Sequence, residues 1–270
     1  MVSVGVFRAT IRKNYRLHGR HDMPWRKTRD PYHILISEIM LQQTQVSRVV
    51  PFYEKFIKRY PNFRALARAK TSDVLRVWQG LGYNRRALAL QRLAKEVMEK
   101  YDRRLPEDFT ELIALPGIGN YTAGAIRAFA FNKPEIFIET NIRRVFLHFF
   151  FPRRLNVTDA LLKRCIKRTL DEKNPREWYY ALMDYGTKLG GDIKNPNRRS
   201  AHYVRQTAFT GSDRQIRGRI LQESLAHKKI NMSALAKKMK ESQTRVDRIA
   251  RGLIMEGFLK EKSGFLVVAE

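Results

Sequence analysis

The hydrophobic positions between residues 5 and 190 recur every three to four residues, which is the spacing of amphipathic helices. Short Gly/Pro segments at 80–82, 116–119, 132–134 and 174–175 interrupt this periodicity and predict turns between helices. Few segments alternate hydrophobic and polar residues as half-buried strands do. The pattern therefore predicts an all-α body.

The helical period is lost between 190 and 214, where Gly, Asn, Arg and Ser are frequent. Beyond this segment the sequence predicts helices at 213–227, 233–240 and 241–257, followed by a β-hairpin around Ser263-Gly264. Three helices followed by a hairpin are typical of a winged helix. The end of the chain is therefore predicted to form a second folded unit.

These patterns predict three parts: a helical domain at 1–190, a basic linker at 191–212 and a winged-helix domain at 213–270. In a winged helix the third helix enters the major groove of DNA, so the polar residues near its start are candidate DNA contacts. These residues are Gln243, Thr244, Arg245 and Arg248. A domain that serves only packing or dimerisation would show the same pattern.

One predicted helix, within DPYHILISEIMLQQTQV, carries a carboxylate among hydrophobic residues. Asp30 and Pro31 are typical of a helix start, so the helix is predicted to begin there. Glu38 shares a helical face with Leu35 and Leu41, and other apolar residues fill most of the circumference. Burial without a nearby cation would raise its pKa toward neutrality and prepare it as a proton donor. A position on the remaining exposed strip fits the periodicity equally.

Residues 107–131 predict a helix–hairpin–helix. Pro116 ends the first helix, Gly117 and Gly119 form a sharp turn, and a second helix rich in small residues begins near Tyr121. Such glycines allow the backbone to approach a phosphate, and the amides at the start of the second helix attract it. The motif therefore predicts a contact with the DNA backbone, although similar turns also serve packing alone.

The charge of the chain favours a polyanionic partner. Lys and Arg number 53 against 26 Asp and Glu, which gives a net charge of +27. A hydrophobic content of 43% in 270 residues is sufficient for a buried core in two or three domains. Nucleic acid is the expected partner, and a solvated basic surface on a thermophilic or ribosome-associated protein is the alternative.

Cys165 is the only cysteine, so an internal disulfide and a cysteine-built zinc or iron–sulfur site are excluded. The N-terminal residues have no uninterrupted apolar core or cleavage site, and no later stretch approaches about 18 apolar residues. We therefore expect a soluble, cytoplasmic protein with no membrane partner and no metal site.

The segments PWRKTRDPYHILISEIMLQQTQV, GLGYNRRALAL, LPGIGNYTAGAI and ETNIRRV occur in this order within about residues 7–190. Together they resemble the helix–hairpin–helix (HhH-GPD) DNA glycosylases, most closely the adenine glycosylases of the MutY type. The resemblance implies two helical subdomains with a DNA cleft between them. It also implies base excision repair on double-stranded DNA that contains a mismatch or lesion, and we expect a monomer.

The resemblance assigns roles to three residues near the reacting bond. Glu38 matches the acid that protonates the flipped adenine. Glu139 stands where the family has Asp, which stabilises the sugar cation or briefly bonds to it, and the longer side chain implies a rebuilt pocket or an altered activity. Glu139 also suits the cap of the following helix. Tyr121 replaces the nucleophilic lysine of lyase-type relatives, which implies a monofunctional enzyme.

Other matching positions concern DNA binding. Gln42 and Tyr83 match residues that contact or wedge into the opened base stack, and Trp25 and Arg26 match the border of the base pocket. The phosphate-binding candidates at the hairpin are Gly117, Gly119, Tyr121 and Thr122.

Two further features depart from the family pattern. The four cluster cysteines align with Gly190, Asn197, Ser200 and Gln206, so we predict that no iron–sulfur cluster or other cofactor is bound and that the Arg-rich linker supplies a DNA contact instead. The C-terminal domain that senses 8-oxoguanine is also not recognised, and the winged helix takes its place in the chain.

The resulting hypothesis is a monofunctional glycosylase that removes adenine opposite guanine or 8-oxoguanine. A thymine/uracil mismatch glycosylase is the first alternative. The second is a non-catalytic DNA-binding or lesion-recognition protein that lost activity with the replacement of Asp by Glu139.

Overall fold

The computed structural model describes residues 2–204, 208–227 and 229–270. The chain folds as two compact units, each built from two separate stretches: Met1–Glu38 with Leu105–Arg205, and Ile39–Arg104 with Gln206–Glu270. The C-terminal residues thus belong to the same unit as 39–104. The domain boundaries expected from the sequence stay a prediction.

The first unit is helical because its apolar residues meet along several helix faces. Its core includes an aromatic cluster in which the Phe7 ring lies 5.4 Å from Phe146, 5.0 Å from Phe150 and 5.9 Å from Trp178. Its helices are α1 (Val4–His18), α2 (Pro31–Leu41, which continues into the second unit), α7 (Phe109–Ala114), α8 (Asn120–Phe131), α9 (Thr140–Phe150), α10 (Asp159–Thr169) and α11 (Pro175–Asp192), with 3₁₀ turns at Pro24–Arg26 and Pro196–Arg199.

The second unit combines helices from the middle and the end of the chain. Its core includes Trp78, whose ring lies 5.8 Å from that of Phe56 in an edge-on arrangement. Its elements are α3 (Val46–Arg59), α4 (Phe63–Arg68), α5 (Thr71–Trp78), α6 (Arg85–Lys100), α12 (Asp213–Ala226), α13 (Met232–Met239), α14 (Gln243–Met255), β1 (Leu259–Lys262) and β2 (Phe265–Val268).

The predicted C-terminal hairpin is confirmed. Strands β1 and β2 pair antiparallel with Lys262 opposite Phe265. Ser263 and Gly264 connect them, with φ values of 51° and 75°. Two residues with positive φ form the turn that matches the twist of a hairpin. An all-α body followed by three helices and a hairpin agrees with the fold class expected from the sequence.

Over the described part of the chain, no helix has both the length and the apolar character needed to cross a membrane.

Candidate active site

Glu38 lies within a helix whose neighbouring side chains are almost all buried. Helix α2 begins at Pro31, as predicted, and the Asp30 carboxylate accepts a hydrogen bond from the Tyr32 amide at 2.8 Å. Every residue from 34 to 40 is buried, and Glu38 itself is 4% exposed. The alternative of a surface glutamate is therefore wrong.

Tyr121 is the hydrogen-bond partner of Glu38. Its hydroxyl donates to Glu38 Oε2 at 2.9 Å. The pKa of Glu38 is raised to about 7, mainly by burial; the Tyr121 hydrogen bond opposes this rise, and the negative charge of Glu139 adds to it. Burial also raises the pKa of Tyr121 well above its ordinary value, so the phenol keeps its proton. A protonated Glu38 is therefore well populated at neutral pH.

Glu139 caps helix α9 with its own side chain. Its carboxylate accepts from the Asn141 backbone amide at 2.8 and 2.9 Å, from the Asn141 side-chain Nδ2 at 2.8 Å and from the Ile142 amide at 3.2 Å. Burial raises the pKa of Glu139, whereas these donors favour the charged form. The expected capping role is confirmed, and the longer side chain folds back onto its own helix.

The two carboxyl groups have different surroundings within the first unit. Glu38 has one O–H donor in a buried helix, whereas three N–H groups point at Glu139. Three donors stabilise an anion better than one, so the hydrogen bonds favour the charged form of Glu139 more strongly than that of Glu38. Because the charge of Glu139 acts on the pKa of Glu38, the two carboxyl groups lie within electrostatic reach of each other.

Helix α9 is positioned by its close packing against α11. A Cβ atom added to Gly186 of α11 would lie 2.4 Å from the backbone oxygen of Asn141. The Arg144 guanidinium joins the two helices at the same place, because its Nη1 donates to the Gly186 carbonyl at 2.5 Å and to Asn141 Oδ1 at 2.8 Å. Because residue 186 is glycine, the start of α9, which carries Glu139, can lie close to α11.

Arg26 is held by Asp184, a residue that the sequence interpretation missed. The Arg26 guanidinium donates to both Asp184 oxygens, at 2.7 and 2.9 Å, and the Arg20 Nε–H donates to Asp184 at 2.7 Å. Burial raises the pKa of Asp184, but the bonds and charge of Arg26 outweigh this and hold the pKa below its usual range. Asp184 lies in the apolar run ALMDYG, so the criterion that singled out Glu38 would also have found it.

Arg26 also borders a cavity of about 340 Å³ in the first unit. Its guanidinium carbon lies 4.3 Å from the centre of the Tyr180 ring, which lines the same cavity. Burial raises the pKa of Tyr180, and the charge of Glu38 raises it further, which places Glu38 within electrostatic reach of this wall. Trp25 is buried beside Arg26 in the 3₁₀ turn.

The hairpin between α7 and α8 has the predicted form. Gly117 has a φ of 82°, a region that favours glycine, and both Gly117 and Gly119 are exposed. Gly119 is the N-cap of α8 and has open space where a Cβ would be. Tyr121 and Thr122 lie in the first turn of α8, where backbone amides lack intrahelical acceptors. The Thr122 side chain is buried, so any phosphate contact there would come from the backbone.

Comparisons with known proteins identify this arrangement. The model of the HhH-GPD superfamily base excision DNA repair protein family matches residues 36–169, which include Glu38, the hairpin and Glu139. The adenine DNA glycosylase of Mycolicibacterium smegmatis is 35% identical over 228 residues, which are 76% of this chain and 75% of that protein. The chain belongs to the HhH-GPD superfamily.

This chain covers different shares of two further HhH-GPD relatives. The adenine DNA glycosylase of Buchnera aphidicola subsp. Baizongia pistaciae is 38% identical over 188 residues, which are 68% of this chain and 53% of that protein. The chain thus spans about half the length of that relative. A solved structure of a thermostable thymine-DNA glycosylase is similar with a TM-score of 0.64 and 31% identity, over 72% of this chain and 90% of that chain.

In this HhH-GPD protein, Gln42 and Tyr83 lie on two loops of the second unit that Arg86 joins. The buried Arg86 guanidinium donates to the Gln42 carbonyl at 2.7 Å and to the Gly82 carbonyl at 2.9 Å. It lies 5.3 Å from the centre of the Tyr83 ring, which is 37% exposed. The structure therefore brings the two candidate wedge residues onto one support, which sequence reasoning did not identify.

The candidate DNA contacts of the C-terminal domain are largely engaged within the HhH-GPD chain. Arg245 donates to Asp213 Oδ1 at 2.9 Å and to Glu241 at 3.0 Å, and Arg248 donates to Asp213 Oδ2 at 2.6 Å. Gln243 donates to Asp247 at 2.6 Å, while Thr244 is exposed. Their contact with DNA stays a prediction.

The positions aligned with cluster cysteines carry other interactions. Gly190 lies in α11, Asn197 donates to the Thr140 carbonyl at 3.1 Å, and Ser200 accepts from Arg143 at 3.0 Å; Gln206 lies outside the described residues. Cys165 is in α10, and no group of three His, Cys, Asp or Glu within 2–204, 208–227 and 229–270 is arranged to hold a metal. These donors do not fit an iron–sulfur cluster, and the absence of a cofactor stays a prediction.

Proposed function

We propose that the protein is a monofunctional DNA glycosylase that removes a flipped base from double-stranded DNA. The observation that carries this proposal is that Glu38 is buried and has a pKa of about 7, to which the charge of Glu139 contributes. A carboxylic acid that keeps its proton at neutral pH can protonate a leaving group. A second carboxylate can stabilise the positive charge that develops on the sugar.

In the proposed reaction, the Glu38 proton passes to a ring nitrogen of the flipped base. The bond between the base and the sugar then breaks, and its electron pair leaves with the protonated base. Glu139 stabilises the sugar cation, or bonds to it briefly, until water adds and releases a proton. The Tyr121 hydroxyl keeps Glu38 oriented, and its phenol in place of lysine is the reason that we propose no Schiff-base step.

Adenine opposite guanine or 8-oxoguanine is the substrate that we propose first. Two of the relatives described above are adenine DNA glycosylases. Arg26 and Tyr180 support a pocket for a planar base, because a cation and an aromatic ring border the cavity and the charge of Glu38 acts on the pKa of Tyr180. The net charge of +27 and the exposed hairpin glycines support binding to the DNA backbone, and we propose a monomer.

Thymine or uracil in a mismatch is the second candidate substrate. The observation that favours it is the match to a thymine-DNA glycosylase structure over 90% of that chain, whereas the Buchnera adenine DNA glycosylase is matched over 53% of its length. The same acid and carboxylate would serve this reaction, so the choice depends on the pocket.

A panel of duplexes tests the proposed activity. We expect one or more of A·G, A·8-oxoguanine, T·G, U·G and hypoxanthine duplexes to be cut only after hot alkali, because a monofunctional enzyme leaves an abasic site. Glu38→Gln should lower the rate by about 10²- to 10⁴-fold while duplex affinity is kept. Glu172→Gln, which changes an exposed glutamate, is the matched control.

Three outcomes would contradict parts of this proposal. Strand cutting without alkali would show a lyase step. Equal rates for Glu38→Gln and the wild type would remove the acid role. Binding to every duplex without base release from any would favour the non-catalytic DNA-binding alternative.

A further inference from the structure

The C-terminal helices are joined to the 39–104 part of the second unit by a paired ion bridge. The Glu256 carboxylate, at the end of α14, accepts two bonds from Arg85 at 2.6 Å each and two from Arg217 at 2.7 and 3.0 Å. The hydrogen bonds from Arg85 are the main reason that the pKa of Glu256 falls to about 2. The Arg92 guanidinium adds a bond to the Glu256 carbonyl at 3.3 Å. Bidentate pairs of this kind fix orientation as well as distance.

Arg214 reaches the candidate wedge residue from the same C-terminal domain. Its Nη1 donates to the Tyr83 hydroxyl at 3.2 Å. Arg214 lies in the first turn of α12, and the preceding residue, Asp213, is bonded by Arg245 and Arg248. The start of α12, next to Arg214, is thus held by two arginines of α14.

Both the backbone carbonyl and the side-chain hydroxyl of Tyr83 therefore accept hydrogen bonds from arginines. Its backbone has a φ of 49°, and its carbonyl accepts bonds from the Arg86 amide at 3.0 Å and from Arg86 Nε at 3.3 Å. Its hydroxyl is held by Arg214. A side chain that enters a base stack must otherwise lose its rotational freedom on binding, and fixing it beforehand lowers that cost.

We propose that Arg214 is a positioning residue for Tyr83, and that the C-terminal domain thereby assists base opening. This inference rests on the proposed function, together with the wedge role that the family resemblance implies for Tyr83. It gives the domain a role apart from groove reading by Arg245 and Arg248, which are engaged with Asp213.

The contact itself is tested in the free protein. A fluorine label on the ring of Tyr83 reports the surroundings of its hydroxyl by ¹⁹F NMR. We expect Arg214→Ala to shift this signal and Arg214→Lys to shift it less. Arg251→Ala, an exposed arginine of α14, is the matched loss of one positive charge and should leave the signal unchanged. An unchanged signal in Arg214→Ala overturns the inference, whatever the effect of this variant on base release.

Base opening is measured with 2-aminopurine beside the target base, in the Glu38→Gln background so that no base is released. Arg214→Ala and Tyr83→Phe should each lower the extent of opening by about fivefold, the effect of one hydrogen bond. The double variant should lower it no further than either single variant, because both remove the same bond. Arg251→Ala should lower affinity without changing opening in the bound state.

The results separate the inference from the proposed function. The positioning role is overturned if Arg214→Ala leaves base opening unchanged, or if the losses in the double variant are additive. In either case, base excision by the wild type leaves the glycosylase proposal intact. Failure of the parent protein to open any duplex contradicts the wedge role expected for Tyr83, and the inference falls with it.

Discussion

Glu38 keeps its proton near neutral pH because helix α2 leaves it almost no contact with water. This burial has a cost in stability. The pKa of Glu38 rises from 4.5 to about 7 on folding, so the folded state binds the extra proton between these values. Stability is therefore lost as the pH rises through this window, and the full cost is present above about pH 7.

Glu38→Gln should remove this cost. The pKa shift from 4.5 to about 7 corresponds to about 3 kcal/mol, so the variant should gain up to that much stability at about pH 8 and little at about pH 4. Denaturant unfolding of the variant and of Glu172→Gln at both pH values measures the difference. An equal effect of Glu38→Gln at the two pH values would contradict the burial argument.

The sequence could mark Glu38 as a candidate but could not predict the long-range contacts between side chains. A run of apolar residues around one acid is a local property that marks Glu38 as a candidate, while the periodicity fits a buried and an exposed position equally. The Arg26–Asp184 pair joins residues 158 positions apart, and the Arg86 bonds to Gln42 span 44 positions. Such pairs depend on how helices pack against one another, and hydrophobic periodicity gives no information about that packing.

At the scale of elements, the start of α9 depends on its close packing against α11. Gly186→Ala would place a methyl group 2.4 Å from the Asn141 backbone oxygen and displace the turn that carries Glu139. We expect a loss of about 1–3 kcal/mol in stability and about a hundredfold in base release, because a shift of about 1 Å is enough for the latter.

Gly191→Ala on the same helix is the matched control. It has no atom within 4 Å of the added Cβ, so it should be neutral or slightly stabilising, as Ala is a better helix former than Gly. Thermal unfolding and single-turnover rates of the two variants measure the contrast. Similar behaviour of both would show that the contact at Gly186 does not position Glu139.

Helix starts and turns were predictable because their signals are short. Asp30-Pro31, the hairpin glycines and Ser263-Gly264 each act on neighbouring residues, and the structure has the expected element at each. The extra methylene of Glu139 was not predictable in this way. Its side chain folds back onto α9 instead of extending, which depends on the amides that surround it.

At the scale of the whole molecule, the net charge of +27 predicts a strong dependence of DNA binding on salt. Each phosphate contact releases counterions, so duplex affinity should fall roughly a thousandfold or more between about 50 and about 200 mM salt. Fluorescence anisotropy with a mismatched and a matched duplex measures the slope. A flat curve would contradict a phosphate-based interface.

The division of the chain into units is the largest feature that the sequence did not reveal. The linear pattern separates a helical body from a C-terminal domain, whereas the structure groups 206–270 with 39–104. Long-range ion pairs such as Arg85–Glu256, which are 171 positions apart, hold this grouping. Because neither residue differs in pattern from its neighbours, no local signal marks the pair.

The proton of Glu38 is the centre of this account, and the pH dependence of single-turnover base release tests it most directly. We predict that the rate falls about tenfold per pH unit above a midpoint near pH 7, as the Glu38 carboxyl loses its proton. Tyr121→Phe, which removes the bond that opposes the rise of this pKa, should move the midpoint to higher pH. A rate that stays constant from about pH 6 to about pH 9 in the wild type would contradict the account.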